Sequence, residues 1–251
     1  ISFMTNNIYF IANWKMYGST SSINSLNKLI NLSKLKKYRN AKIIYFPPFT
    51  LVQSFINKFK NTKIYVGGQN CHYIKDYGSF TGSISPKMLK ELGCKYVILG
   101  HSENRIAGET DEDINKKIHS ALNKNLKVIF CIGETLKEKR KKITFSVLKR
   151  QINKGLKSIK NFNNILIAYE PVWSIGTGVI PKDKELEFNI SKIKKIISKK
   201  TKYKLPVLYG GSVNNKNINN LKNIIGIKGF LVGSASQNSK KFIDIIKKTI
   251  N

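Results

Sequence analysis

The sequence predicts an α/β protein whose eight parallel strands close into a single (β/α)8 barrel, and three observations carry that expectation. Short, near-continuously apolar segments alternate with helix-patterned ones along the whole chain, the pattern of strands buried on both faces beneath helices. Eight such units fit within 251 residues, the usual size of one closed barrel. The polar motifs fall just after the strands, and a parallel barrel gathers the ends of all its strands on one rim. An open, doubly wound sheet is the alternative that alternation alone leaves standing. No composition shift or Pro/Ser-rich linker marks a boundary, so one domain over 1–251 is expected, with about 1–7 as an extension or lead-in to the first strand.

Taken in order, 8–13 is the first apolar strand, followed at once by Asn13-Trp14-Lys15. Segment 19–35 carries Ile23, Leu26, Leu29, Ile30 and Leu32 near one helical face. Strand 41–46 is stopped by Pro47-Pro48, and 50–59 is helical. Strand 63–67 opens a long loop, 69–83, and helix resumes at Pro86, a favourable first-turn position. Strand 96–99 ends in Gly100-His101-Ser102-Glu103. Helix 110–123 has Asp111, Glu112 and Asp113 at its positive end. Strand 127–132 leads to Gly133-Glu134 and a lysine-rich helical region, 135–157. Strand 165–169 precedes Glu170, and Pro171 forbids continuation of the ladder. Helix 181–198, strand 206–209 with Gly210-Gly211-Ser212-Val213, helix 218–224, strand 229–232 with Gly233-Ser234, and a last helix around Phe242–Ile246 complete the eight units.

Composition narrows the function classes. A hydrophobic fraction of 41% suits a soluble globular protein, and no apolar run approaches the roughly 20 residues of a membrane span. The first residues show no basic region followed by an apolar stretch and a cleavage site, so no secretory leader is expected in them. Cys71, Cys94 and Cys131 form neither a disulfide framework nor a zinc pattern, which fits a reducing cytoplasm. The formal charge of +31 invites a nucleic-acid reading. Its lysines, however, are spread over every helical segment with many Asn and Ile, residues that share A/T-rich codons, and no aromatic-basic stripe is present. Compositional drift explains the charge better than a specific nucleic-acid partner.

The stretch 168–178 carries the most chemistry. A buried strand ends in the carboxylate of Glu170; Pro171 stiffens the start of the next segment, Val172-Trp173 gives it an apolar body, and Gly176 and Gly178 free its end. A closing lid over an acid or base is built this way, and so is a tight strand-to-helix turn with a chance Glu. The other pieces are weak singly. His101 at a strand end is ordinarily a satisfied structural histidine, Lys15 is one lysine among many, and Asn13 and Glu103 could be cap or hydrogen-bond residues. The glycine groups after the last two strands match neither a dinucleotide nor a P-loop pattern, yet they suit an anion held on backbone N–H groups.

Together the segments Asn13-Trp14-Lys15-Met16, Gly100-His101-Ser102-Glu103, Cys131-Ile132-Gly133-Glu134, the stretch around Glu170 and Tyr209-Gly210-Gly211-Ser212-Val213 resemble the triosephosphate isomerase family in order and spacing, from about residue 8 to the end. The resemblance implies a TIM barrel that interconverts dihydroxyacetone phosphate and glyceraldehyde 3-phosphate in glycolysis and gluconeogenesis, with no metal or organic cofactor. It makes Glu170 the base, His101 the electrophile, and Lys15 and Asn13 the partners of substrate oxygens; this family is itself the standing example of a neutral histidine at a helix N-terminus. Glu103 would order the catalytic groups, and Gly176, Ser212, Gly233 and Ser234 would join Lys15 around the phosphate. It also implies a homodimer in which loop 69–83 reaches the partner, with Thr81, Ser83 and Asn104 at the interface.

Four positions depart from the family pattern. Ser234 replaces a Gly, Val179 a Lys at the end of the lid, and Ser83 a Glu; Asn104 falls where an Arg is usual. The missing Glu and Arg pair across the interface in relatives, and losing both strands neither charge. Two rival readings remain: another phosphosugar isomerase, and a basic nucleic-acid-binding protein on an inherited barrel.

Overall fold

The computed structural model describes residues 7–251, so the expected lead-in, except Asn7, lies outside the described residues. Eight parallel strands pair in chain order: β1 (Ile8–Asn13), β2 (Ala41–Phe46), β3 (Tyr65–Gly68), β4 (Tyr96–Leu99), β5 (Lys127–Ile132), β6 (Ile165–Tyr169), β7 (Val207–Tyr209) and β8 (Gly229–Val232). β8 returns to β1, with Tyr9 opposite Gly229 and Ala12 opposite Val232. That pairing closes the barrel and excludes the open sheet. The helices are α1 (Asn27–Lys34), α2 (Val52–Phe59), α3 (Pro86–Leu92), α4 (Ser102–Ile106), α5 (Asp111–Asn123), α6 (Leu136–Arg140), α7 (Thr144–Gly155), α8 (Asp183–Ser198), α9 (Ile218–Leu221) and α10 (Ser239–Ile250). Among the described residues no helix is long and apolar enough to cross a membrane.

The apolar residues form two layers, because successive strand side chains point to opposite faces. Ile11, Ile44, Ile98, Ile129, Cys131, Leu166, Ala168, Leu208 and Leu231 fill the inside of the barrel. Their neighbours, such as Phe10, Val97, Phe130, Ile167, Val207 and Val232, pack outward against the helices. Both faces are therefore dry, which is why the strands read as continuous apolar runs. The alternation also aims the site. Counting on by two from the inward residues reaches Asn13, Glu170, Gly210 and Gly233 at the strand ends. His101 is out of phase with Ile98; Gly100, at φ +73°, intervenes and shifts it.

Local chemistry sets the helix boundaries. The hydroxyls of Ser85, Thr110 and Thr135 each accept the N–H three residues on, at the starts of α3, α5 and α6. Expected helix 19–35 begins instead as a 3-10 segment, Thr20–Leu26. There Ser19 N–H donates to Ser22 Oγ and Ser25 Oγ donates to the Ser22 carbonyl, so serine hydroxyls compete for backbone partners. Region 135–157 divides into α6 and α7 around Lys142, whose φ is +58°. All three cysteines are free and buried.

One contact joins β5 to β6 at the rim. A Cβ at Gly133 would lie 1.8 Å from the backbone oxygen of Glu170, so only glycine lets the two chains approach. Gly133→Ala must push them apart, and overpacking of this kind costs about 1–3 kcal/mol or more. We expect a lowered urea midpoint, with an activity loss beyond the stability loss because Glu170 moves. An unchanged midpoint would show that the contact is soft.

Candidate active site

A cavity of about 250 Å³ opens at the carboxyl ends of the strands, bordered by Lys15, His101, Gly176, Ser212, Gly233 and Ser234. Six of the expected site residues thus meet at one opening. Glu170 lies deeper, 2% exposed. Its Oε2 is 3.6 Å from His101 Nε2 and its Oε1 is 3.7 Å from Cys131 Sγ. Oε2 has no hydrogen-bond partner among the described residues. A Cβ at Gly210 would sit 2.6 Å from Glu170 Cγ, so this glycine makes room for the carboxylate. Burial pushes the Glu170 carboxyl above the usual carboxylate range, opposed by the positive charge of Lys15 and by the Cys131 thiol.

His101 caps α4. The N–H of Glu103 donates to His101 Nδ1 at 3.3 Å, which assigns the ring proton to Nε2, the nitrogen that faces Glu170. With Nδ1 acting as an acceptor, its 3.5 Å approach to Glu103 Oε2 is no ion pair. Glu103 instead bonds Lys15 Nζ at 2.6 Å. Lys15 stands at φ +55°, a conformation that costs a side-chain-bearing residue about 1–3 kcal/mol and persists where the surroundings hold it. Here its N–H donates to Asn13 Oδ1 at 3.1 Å, and its carbonyl accepts from Gln69 Nε2 at 2.8 Å. Gln69 also donates to the Phe46 carbonyl, which ties β1 to β2 beneath the lysine. With Oδ1 engaged, the Asn13 amide presents N–H donors.

The segment after β6 crosses the cavity. Its root is fastened to β5: Glu170 N–H donates to the Ile132 carbonyl and Val172 N–H to the Glu134 carbonyl. Trp173 Nε1–H donates to Glu134 Oε1 at 2.9 Å, while Lys139 Nζ lies 3.6 Å from the indole centroid and is paired with Glu185 at 2.6 Å. Glu134 is wholly buried; burial raises its pKa against the bonds from Trp173 and Tyr169. Gly176 and Gly178 both have positive φ, and each has open space where a side chain would stand. Gly178 N–H donates to Ser212 Oγ at 3.1 Å.

Thr81 and Ser83 are exposed at the tip of loop 69–83, and Asn104 is partly buried in α4; none of the three borders the cavity. Beside Asn104, Arg105 bonds the carbonyls of Gly100 (2.8 Å) and Cys131 (3.2 Å) and pairs with Asp111 at 2.6 Å. It thereby braces both strand ends that flank His101 and Glu170. Sequence reasoning assigns no role to Arg105, Gln69 or Glu134. For Glu134 the one available signal is its place in a motif, a carboxylate two positions past the end of an apolar strand.

The family model described as Triosephosphate isomerase matches residues 8–249. The chain is 43% identical to a triosephosphate isomerase of Dictyoglomus thermophilum, over 94% of this chain and 97% of the relative. It is 40% identical to that of Geotalea uraniireducens, over 94% and 96%. It is 38% identical to that of Saccharomyces cerevisiae, over 97% and 98%. With a closed barrel and a cavity bordered by Lys15 and His101, these matches make the chain a member of the triosephosphate isomerase family, an isomerase that interconverts triose phosphates.

Proposed function

We propose that Glu170 is the base of this isomerase, and the observation that carries the assignment is its buried carboxylate facing the Nε2 side of a neutral His101. Glu170 removes a proton from the carbon beside the carbonyl of dihydroxyacetone phosphate and returns it to the neighbouring carbon. The His101 Nε2–H donates to the carbonyl oxygen as negative charge develops there and then passes protons between the two oxygens. Lys15 stabilises the enediolate and the phosphate, Asn13 donates from its free amide hydrogens, and Glu103 fixes Lys15. The phosphate lies among Gly176, Ser212, Gly233 and Ser234. The segment after β6 is the lid, which excludes water and strengthens these electrostatics. No metal or organic cofactor enters this scheme, and the same set of residues argues against a different phosphosugar or a nucleic acid as the ligand.

We also propose a homodimer in the cytoplasm, the whole chain acting as one domain. Exposed apolar side chains stand on adjacent loops: Met16 and Tyr17 after β1, Phe49 after β2, Tyr73 and Phe80 after β3, and Ile106 after β4. A partner seated on that half of the rim would cover them, with Thr81, Ser83 and Asn104 in the same region.

Glu170→Gln keeps the shape and removes the base. General-base catalysis is worth about 10²–10⁴-fold, and we expect kcat to fall at least that far with substrate affinity retained. Half of the parent activity would remove Glu170 from the role. The raised carboxyl pKa fixes two signs. Activity should be lost, as pH falls, at a pH above the ordinary carboxylate range. In stability, a carboxyl raised on folding favours the native state below its unfolded pKa, and that contribution is lost as pH rises through the folded value. Glu170→Gln should therefore melt higher than the parent at neutral pH, with the difference vanishing in acid. A variant that melts lower at neutral pH would contradict the burial penalty.

Inorganic phosphate should compete with substrate. Deleting residues 175–178 should release free phosphate during turnover, because the enediolate can expel its phosphate once exposed to water. A slowed reaction without free phosphate would mean that the lid is not the barrier to elimination.

Two subunits of charge +31 repel, and the Debye length falls from about 30 Å at 0.01 M salt to about 8 Å at 0.15 M. Sedimentation at low protein concentration should show a dimer that tightens over that range. A monomer throughout with full activity, or a dimer that loosens with salt, would defeat the proposal.

A further inference from the structure

The helices that follow β5 and β6 carry a surface patch that neither the core nor the cavity uses. Phe145, near the start of α7, and Phe188, on α8, are both exposed. The fold sets them on either side of one lysine: Lys192 Nζ lies 4.8 Å from the Phe188 ring centroid and 5.6 Å from that of Phe145. Lys192 follows Phe188 by four residues, so one helical turn brings the ammonium over the ring. Just before Phe145 the chain turns sharply at Lys142, whose φ is +58°, and Arg140, Lys141, Lys142 and Ile143 are exposed there. The nearby acids do not offset these cations. Glu138 is engaged in its capping box with Thr135, and Glu185 is paired with Lys139. Among the described residues Arg140, Lys141, Lys142 and Lys192 make no ion pair. None of the patch residues borders the cavity.

We propose that this face docks on an anionic phospholipid bilayer. Basic side chains beside exposed apolar ones fit such a surface: the cations meet lipid phosphates while the apolar groups enter the boundary between headgroups and acyl chains. Lys192 serves both states. In water its ammonium lies against the two rings; at the bilayer its long stem lets the charge swing to a phosphate while the rings go in. Three of the four cations are lysines, flexible point charges that suit a fluid plane of negative charge better than a fixed set of phosphates. A nucleic acid would need rings standing free to stack on bases, whereas these two flank a lysine. A second copy of the chain would bring the same positive charge to the face. The dimer proposed above uses loops after β1 to β4, and β5 lies across the closed barrel from β1, so dimerisation leaves the patch open.

The test is cosedimentation of the whole chain with vesicles of equimolar phosphatidylserine and phosphatidylcholine, and with vesicles of phosphatidylcholine alone. We expect binding to the mixed vesicles only, weakening as salt rises from about 0.01 to 0.15 M. Each basic side chain near an anionic bilayer strengthens binding by about fivefold. Arg140→Gln, Lys141→Gln and Lys142→Gln together should therefore weaken it about 10²-fold. Phe145→Ser with Phe188→Ser should weaken it about tenfold or more, since two rings no longer leave water. The control removes the same charge elsewhere, by Lys28→Gln, Lys34→Gln and Lys37→Gln, exposed positions on and just after α1; it should change binding by less than threefold. Isomerase activity, retained in all three sets, shows that each is folded. If the phenylalanine set does not fold, the comparison of the two charge sets decides alone. No binding to the mixed vesicles overturns the proposal. So does an equal loss in the two charge sets, which would mean attraction to the protein's overall charge, and so does unchanged binding in a folded phenylalanine set. Mixed-sequence RNA or polyglutamate bound more tightly than the vesicles, and lost with the same patch variants, would give the face to a different partner and overturn the bilayer.

Discussion

A carboxylate held 2% exposed at the end of β6 is the constraint around which the rim is arranged. An ionised group in so dry a place is disfavoured, and the shift of Glu170 towards protonation records that cost. Two glycines exist to admit it: Gly133, against whose absent side chain the Glu170 backbone rests, and Gly210, against whose absent side chain its carboxylate rests. Lys15 supplies the opposing positive charge and His101 faces the carboxylate, and each is itself held in a specific way, the histidine ring by the N–H of Glu103 and the lysine by Asn13, Gln69 and Glu103. The Oε2 atom that remains without a partner among the described residues is the one facing His101 Nε2, which leaves it free to accept a proton in the proposed role of base. The burial that disfavours the charge is also what makes the ionised form a stronger base.

The fold was legible because its two layers leave a plain mark. Strands dry on both faces read as apolar runs, and β1, β2, β4, β5, β6 and β8 begin and end where the residues predict. What was not legible depended on competition between nearly equal local options. The stretch holding serines 19, 21, 22 and 25 offered an apolar helical face but also backbone-seeking hydroxyls, and the first turns became 3-10. Helix α4 is only five residues long and is capped by His101, so its apolar periodicity is too short to detect. In the site, the residues that follow inward strand positions by two were readable from parity. Arg105 and Gln69 were not, since their partners are backbone carbonyls of distant strands, and a carbonyl leaves no signature in the sequence.

The proposed lid is fastened unevenly, and the unevenness has a physical sense. Its root is bonded to β5 by backbone and indole groups, with Lys139 stacked on Trp173 from outside. Its tip, by contrast, carries two glycines at positive φ with open space around them. A segment bonded to β5 at its root and held at its glycine tip through Ser212 can pivot about that root, so opening need not disturb the Glu170 backbone two residues earlier. The contacts made by the tip, to Ser212, lie on the opposite wall of the cavity, where they can form and break without repacking the core.

The excess of basic residues looks different once each acid is located. The chain has 45 Lys and Arg against 14 Asp and Glu, and the few acids are occupied. Glu103, Glu134 and Glu170 belong to the site. Asp111 pairs with Arg105 and Arg150, and Glu109 with Lys117. Asp113 and Glu138 complete capping boxes, while Asp76, Glu91, Glu112, Glu185 and Asp244 bind lysines. Glu187 accepts the N–H of Ile225, and Asp183 stands in the first turn of α8. A surface acid swapped for lysine costs little, as exposed ion pairs are worth only about 0–1 kcal/mol. An acid that caps a helix, braces a strand end or faces the substrate cannot be exchanged so cheaply. Drift towards lysine would therefore be resisted at such positions, which leaves a cationic surface around Glu103, Glu109, Asp111, Asp113, Glu134, Glu138 and Glu170, with exposed lysine pairs at Asp76, Glu91, Glu112, Glu185 and Asp244. For a dianionic substrate that surface is no obstacle: a cationic surface has a long-range field that draws an anion in, while in the site proposed above the N–H groups of the cavity and Lys15 would decide what is bound.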